Sequence, residues 1–159
     1  MHIEFKGEIK YAVITVSSTR TEDNDESGKF LKNFLGNVSY YKIVKDDVNE
    51  IRNALLDSLD HADVIVFCGG SGISKKDVTY EALEPFVEKK IPGFSYLFFQ
   101  ESLKEVGYSA MLSRSFAGTY GGKIIFCIPG SKNAAETAAR IIKKEIRHII
   151  AELRKEINL

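Results

Sequence analysis

Apolar and polar positions along the chain follow two alternating periods. Tyr11 to Val16, Tyr40 to Val44, Asp63 to Cys68 and Lys123 to Ile128 are short, largely apolar and β-branched runs. Tyr11 to Val16 suits a strand buried on both faces, as do the apolar runs at Val64 and Ile124, because neither face needs polar side chains, while Tyr40 to Val44 is a strand candidate only. Between these runs the period lengthens. Phe30, Leu31, Phe34 and Leu35 fall on one helical face of Ser27 to Leu35, and Gly36-Asn37 ends that stretch. Val48, Ile51, Leu55 and Leu59 predict a helix over Val48 to Leu59. Thr79 to Lys89 and Phe94 to Val106 read as two more helices, with Ile91-Pro92-Gly93 as the break between them. Ser113 to Thr119 is ambiguous, a short edge strand being one reading, and Tyr120-Gly121-Gly122 is a turn. Residues 133–157 form a long helix, with Ala138, Ile142, Ile146, Ile149, Leu153 and Ile157 on one face.

Alternating strand and helix predicts an α/β fold: a mostly parallel sheet, helices on both faces, right-handed crossovers. No linker, repeat or low-complexity tract divides the chain, so residues 1–159 are expected to form one domain. Ligands of such sheets bind outside the carboxyl ends of the strands. That directs attention to the loops 17–25, 45–47, 69–77 and 129–133.

Composition narrows the classes. The chain has 159 residues, 44% hydrophobic and 28% charged, which excludes disordered, fibrous and disulfide-scaffold classes. A chain this size buries about 70% of its unfolded surface, enough for a core of its own. Lys plus Arg and Asp plus Glu are both 22, so the bulk charge gives no support to a nucleic-acid partner. The longest apolar runs fall far short of the ~20 residues that span a bilayer. With no signal-like stretch at Met1 to Lys6, the expected location is the cytoplasm, without a membrane partner. Cys68 and Cys127 lack metal-ligand spacing and read as buried strand residues that could lie close if their strands pair.

Two loops invite an anion. Gly69-Gly70-Ser71-Gly72 follows an apolar strand, and glycines let backbone N–H groups approach a phosphate closely. It matches neither a Walker A loop nor a dinucleotide fingerprint, so by itself a tight turn explains it equally. Pro129-Gly130-Ser131 opens the long helix, where Ser131 serves as an N-cap or the helix start receives an anion. Two such loops at one sheet edge favour an anionic or phosphorylated ligand. Asp25, Asp46, Asp47 and Asp77 lie in the same loops, either as helix caps or as the carboxylates that hold Mg²⁺ beside a phosphate. Lys75, Lys76, Arg114 and Lys132 are basic candidates. His2, His61 and His148 lie outside these loops, which argues against Ser-His-Asp or zinc hydrolysis. A phosphate nucleophile needs no histidine base, being already anionic.

The order and spacing of short motifs resemble the MoaB/MogA family of molybdenum cofactor biosynthesis proteins, closest to its single-domain MoaB branch. The segments are Val16-Ser17-Ser18-Thr19-Arg20, Asp25-Glu26-Ser27-Gly28, Asp46-Asp47, Gly69-Gly70-Ser71-Gly72, Lys76-Asp77-Val78-Thr79, Glu81-Ala82, Ile91-Pro92-Gly93-Phe94, Leu112-Ser113-Arg114, Gly118-Thr119 and Pro129-Gly130-Ser131. The resemblance implies a three-layer α/β/α molybdopterin-binding fold, a homotrimer or homohexamer, and transfer of an adenylyl group from ATP to molybdopterin with Mg²⁺. It implies that Asp46 and Asp77 are the two essential acidic residues and metal ligands. It further implies that Gly69, Gly70, Ser71, Gly72, Pro129, Gly130 and Ser131 bind pterin and phosphate, with Ser17, Asp25, Ser113 and Arg114 at further pocket positions. A downstream metal-insertion protein is an implied partner. Three positions depart from the family pattern: Ser18 stands for its usual Asp, Ser71 for Thr and Lys132 for Pro.

A molybdopterin carrier without chemistry is the alternative. It has little use for two carboxylates beside an anionic ligand, since they repel it unless a cation lies between. Separately, Phe94, Tyr96, Leu97, Phe98 and Phe99 put apolar groups on more than one face of their helix, which predicts a covering partner subunit.

Overall fold

The computed structural model describes residues 3–155. Six strands form one mixed sheet: β1 (Tyr11–Val16), β2 (Val38–Val44), β3 (Val64–Cys68), β4 (Lys89–Lys90), β5 (Phe116–Tyr120) and β6 (Lys123–Ile128), in the order β2-β1-β3-β6-β5-β4. The pairs β1–β2, β1–β3 and β3–β6 are parallel, whereas β5–β6 and β4–β5 are antiparallel. Five α-helices cover it: α1 (Glu26–Leu35), α2 (Val48–Ser58), α3 (Thr79–Leu83), α4 (Pro92–Val106) and α5 (Lys132–Leu153).

Strand alternation divides the core in two. Val13, Val64, Val66, Ile124 and Phe126 pack with buried residues of α1, α4 and α5. Ala12, Ile14, Ile65, Phe67 and Ile125 pack with those of α2 and α3 on the opposite face. The two-faced burial inferred for β1, β3 and β6 thus has a direct cause, helices on both sides of the sheet. Cys68 belongs to the first core and Cys127 to the second, so the two thiols point to opposite faces although their strands are neighbours. Burial pushes the Cys68 thiol up to about 12, with the Asp25 charge a further cause, and both cysteines are packing residues.

Four expectations are corrected. The helix expected over Thr79 to Lys89 stops at Leu83, tightens into a 3-10 turn over Glu84–Phe86 and gives way to β4. Pro85 is the reason, because it lacks an N–H and its ring clashes with the preceding turn. The stretch around Ser113 to Thr119 yields β5 from Phe116, an interior strand whose outer side is paired by β4. Pro92 begins α4 instead of lying in a break, since a missing N–H is no loss at the first helical position. The long helix expected over residues 133–157 likewise ends at Leu153, with Arg154 as its C-cap, and Ile157 lies outside the described residues.

Three helix starts carry the caps that their sequences promised, while α3, with Val78 at its N-cap, has no side-chain cap from Asp77 or Thr79. Asp25 accepts from the Gly28 amide at 3.1 Å, Asp47 from Glu50 at 2.9 Å and Ser131 from Ala134 at 3.2 Å. One glycine is indispensable at the sheet edge. Gly69 has φ +115°, and a Cβ there would lie 2.3 Å from the Val16 carbonyl oxygen. Gly36 also has positive φ, +88°, but open space around it. Gly36→Ala therefore costs only the backbone strain, about 1 kcal/mol, whereas Gly69→Ala adds a backbone clash and should cost roughly 3 kcal/mol or more. Urea unfolding of both variants checks this, and equal losses at the two positions would contradict the close approach.

Candidate active site

The register brings four strand ends together. Val16 lies opposite Val44, Thr15 opposite Cys68, and Cys68 opposite Ile128. The loops after β1, β2, β3 and β6 therefore leave the sheet at one edge. The chain goes from β1 to β2 on one side and later to β3 on the other, so the change of direction falls at β1. A crevice at that point is the usual ligand position in an open α/β sheet.

The glycine loop is held by its carbonyls. The Thr79 hydroxyl donates to the Gly69 oxygen at 2.8 Å, and the Thr79 amide to Gly70 at 3.1 Å. The Arg114 amide donates to the Ser71 oxygen at 2.8 Å, and its Nε to Gly72 at 2.9 Å. Four successive carbonyls are thus engaged. Among the described residues no protein acceptor takes the amides of Gly70, Ser71 or Gly72. Unused donors in succession are what a phosphate or a pterin ring accepts from.

Arg114 does more than offer a charge. Its Nη2 donates to the Asp77 carbonyl at 3.1 Å and to Glu81 Oε1 at 3.0 Å, its Nη1 also pairs with Glu81, and the guanidinium lies over the Tyr80 ring. The pairing lowers the Glu81 pKa, the Arg114 hydrogen bond being the main cause. Arg114 therefore binds the loop to α3. Arg114, a basic candidate and an implied pocket position, has these partners and also lines the groove beside Asp77.

Asp46 and Asp77 stand on the loops after β2 and β3, each half-buried. Asp46 Oδ2 accepts from the Ser18 amide at 3.1 Å and the Ser18 hydroxyl at 2.7 Å. Asp77 Oδ2 accepts from the Ser74 amide at 3.0 Å and the Ser74 hydroxyl at 2.7 Å. Asp77 also closes over Gly72, where a Cβ would lie 2.7 Å from Oδ2. A groove of ≈ 390 Å³ opens beside it, lined by Ser74, Lys75, Asp77, Glu81 and Arg114 among others. No three His, Cys, Asp or Glu residues gather into a metal-holding group among the described residues.

Asp25 is placed differently from expectation. It is fully buried, with Oδ2 accepting from the Thr15 hydroxyl at 2.7 Å and the Tyr41 hydroxyl at 2.6 Å. Burial, then the bond to Asp25, holds the Tyr41 phenol well above its usual range. Asp25 Oδ1 lies 3.6 Å from Arg20 Nη1. Asp25 is thus a framing residue behind the opening, and its expected place in the pocket lining is corrected. Arg20 and Ser27 in turn donate to the Gly130 carbonyl, at 2.8 and 2.7 Å, tying the Pro129-Gly130-Ser131 loop to the loop after β1. Ser17 takes the amides of Thr19 and Arg20 on its hydroxyl and shapes that first loop. Ser131 caps α5, leaving the first amides of that helix at the same edge.

Ser113 turns toward another depression. Its hydroxyl is 2.6 Å from that of Ser115, and both line a groove of ≈ 690 Å³ along α4 with Ser95, Tyr96 and Phe99. The neighbouring Arg114 links this groove to the glycine loop. Sequence reasoning missed the contributions of Ser18, Arg20, Ser27, Ser74, Thr79 and Glu81. All but Ser74 lie inside the short motifs quoted above, while Ser74 carried no signal.

Comparison with known proteins agrees with this geometry. Residues 12–148 match a family model described as "Probable molybdopterin binding domain". A Methanocaldococcus jannaschii protein named "Probable molybdopterin adenylyltransferase" is 48% identical, covering 98% of this chain and 99% of its own. "Molybdenum cofactor biosynthesis protein B" of Bacillus cereus is 41% identical over 94% of this chain and 93% of its own. The crystal structure of the tungsten cofactor synthesizing protein MoaB from Pyrococcus furiosus superposes with a TM-score of 0.87 at 39% identity. It covers 92% of this chain and 98% of its own. Fold, loop order and sequence identity together place the chain in the MoaB/MogA family of molybdenum cofactor biosynthesis proteins, built on the molybdopterin-binding domain.

Proposed function

We propose that the chain is a molybdopterin adenylyltransferase acting with Mg²⁺ and ATP in molybdenum or tungsten cofactor biosynthesis. The carrying observation is the glycine loop with three free amides, flanked at one sheet edge by two half-buried carboxylates. Near-full-length identity of 48% to a protein named for this activity supports the same reading.

In this reading the terminal phosphate of molybdopterin is the nucleophile. Its oxygen forms a bond to the α-phosphorus of ATP, the bond from that phosphorus to the β-bridging oxygen breaks, and pyrophosphate leaves. No proton has to be removed from the ionised nucleophile, so the protein's task is to align and to neutralise. The amides of Gly70, Ser71 and Gly72, with the start of α5 behind Pro129, Gly130 and Ser131, receive the anionic groups of the pterin and phosphates. Ser17, Ser113 and Arg114 shape the walls, and Asp25 holds the frame.

Asp46 and Asp77 each commit one oxygen to a serine, and among the described residues no protein donor takes the other. Two single carboxylate oxygens without a third protein ligand fit Mg²⁺, which keeps waters and binds chiefly through substrate phosphates. When bound, Mg²⁺ supplies charge neutralisation to the triphosphate. A carrier without ATP would gain nothing from these two carboxylates. The expected location is the cytoplasm, where a downstream metal-insertion protein would receive the product; no helix among the described residues is long and apolar enough to cross a membrane.

The apolar side of α4 completes the proposal. Phe94 and Phe98 are buried in the core, but Tyr96 is 72% exposed, and the 3-10 stretch after α4 exposes Tyr108 at 84% and Met111 at 70%. Leu97, Phe99, Val106 and Leu112 are also exposed, Phe99 lining the groove with Tyr96 and Leu97 a second groove against α5. A patch of this kind is covered in a homotrimer or homohexamer. Light scattering at micromolar concentration should give a mass of three or six chains, and a monomeric mass refutes this part. For the chemistry, Asp77→Asn and Asp46→Asn should each lower kcat for pyrophosphate release by about 10²–10³-fold. Their melting temperatures should stay close to that of the parent. Full turnover in either variant removes that residue from the machinery.

A further inference from the structure

The two carboxylates are held in the same way by residues far apart in the chain. In each case Oδ2 accepts both the amide and the hydroxyl of a single serine, at 3.1 and 2.7 Å from Ser18 and 3.0 and 2.7 Å from Ser74. The Asp46–Ser18 pair bridges two loops, and the Asp46 amide returns a bond to the Ser18 hydroxyl at 3.2 Å. The Asp77–Ser74 pair lies within one loop, three residues apart. Two unrelated pieces of backbone thus arrive at one hydrogen-bond pattern.

We propose that Ser18 and Ser74 are matched positioning residues that lock Oδ2 of Asp46 and of Asp77 and so present Oδ1 of each to the cation that accompanies the triphosphate. The proposal rests on the adenylyltransferase reading for the identity of that ligand, while the serine pairs themselves are geometric facts. A carboxylate free to rotate offers its two oxygens in many directions. One that accepts two donors on a single oxygen has its plane fixed before the ligand arrives. Outer partners of this kind orient ligating groups and tune their affinity. Charge matters as well. At position 18 both the amide and the hydroxyl of the serine are donors to the charged oxygen of Asp46.

The test uses the full-length protein with Ser18→Ala, Ser74→Ala and the rescue variants Ser18→Thr and Ser74→Thr. Two readouts are needed: steady-state pyrophosphate release, and binding of Mn²⁺ in the presence of ATP by electron paramagnetic resonance. Each alanine variant should lose roughly 10–100-fold in kcat and in Mn²⁺ affinity. The KM for molybdopterin should change by less than about threefold, because the pterin contacts are untouched. Threonine, which keeps the hydroxyl, should restore most of both losses. A purely structural role would instead lower thermal stability and spare Mn²⁺ binding in the folded fraction, and that outcome overturns the proposal. Parental kcat and Mn²⁺ affinity in the alanine variants overturn it equally. If the parent protein transfers no adenylyl group, the adenylyltransferase reading falls. The clamps are then judged on Mn²⁺ affinity alone, and a parent that binds no Mn²⁺–ATP, or binds it no better than the alanine variants, overturns them too.

Discussion

The site depends on a backbone contact that only glycine permits. Gly69 leaves β3 with its amide donating to the Ile128 carbonyl at 2.9 Å and its Cα against the Val16 carbonyl. Gly130 faces it so closely that a Cβ would lie 3.3 Å from the Gly69 Cα. Three loops from three parallel strands meet there at backbone distance. Arg20 and Ser27 fasten the third loop by its Gly130 carbonyl, and the buried Asp25 fastens Arg20. A side chain at this junction would separate the loops and disperse the amides and carboxylates gathered at this edge.

That junction also explains how polar groups divide between frame and opening. Carbonyls of the glycine loop turn inward to Thr79 and Arg114, so its amides remain for an anion. Asp25 and Asp77 are both loop aspartates, yet their surroundings separate them. Asp25 is saturated by Thr15, Tyr41 and Gly28, while Asp77 is half-buried and uses one oxygen. Burial with several donors makes a structural carboxylate, and partial exposure beside unpaired amides makes one fit to work with a cation.

Much of the fold was legible because its signals are local. β1, β3 and β6 are buried on both faces and read as continuous apolar runs, and α1, α2 and α5 carry capping residues and a clear apolar face. The misread region, residues 79–90, combines a proline inside a helical pattern with a two-residue exposed strand, Lys89–Lys90, that has no periodicity to detect. The site was legible as a set of loops, since each follows a readable strand. The division of labour within it was not. Whether Arg114 faces solvent or spans to Glu81, or which serine meets Asp46, is decided by contacts across 33 and 28 residues of chain. Family resemblance singled out Asp46 and Asp77, while the serines that hold them come to light only in the fold.

The central claim is that an adenylyl group is transferred at the edge where these loops meet. Purified protein incubated with molybdopterin, Mg²⁺ and ATP labelled in the α-phosphate tests it most directly. Label should appear in the pterin, with an equal amount of unlabelled pyrophosphate released. Pterin bound in the same sample without label would contradict the claim and leave the chain a carrier.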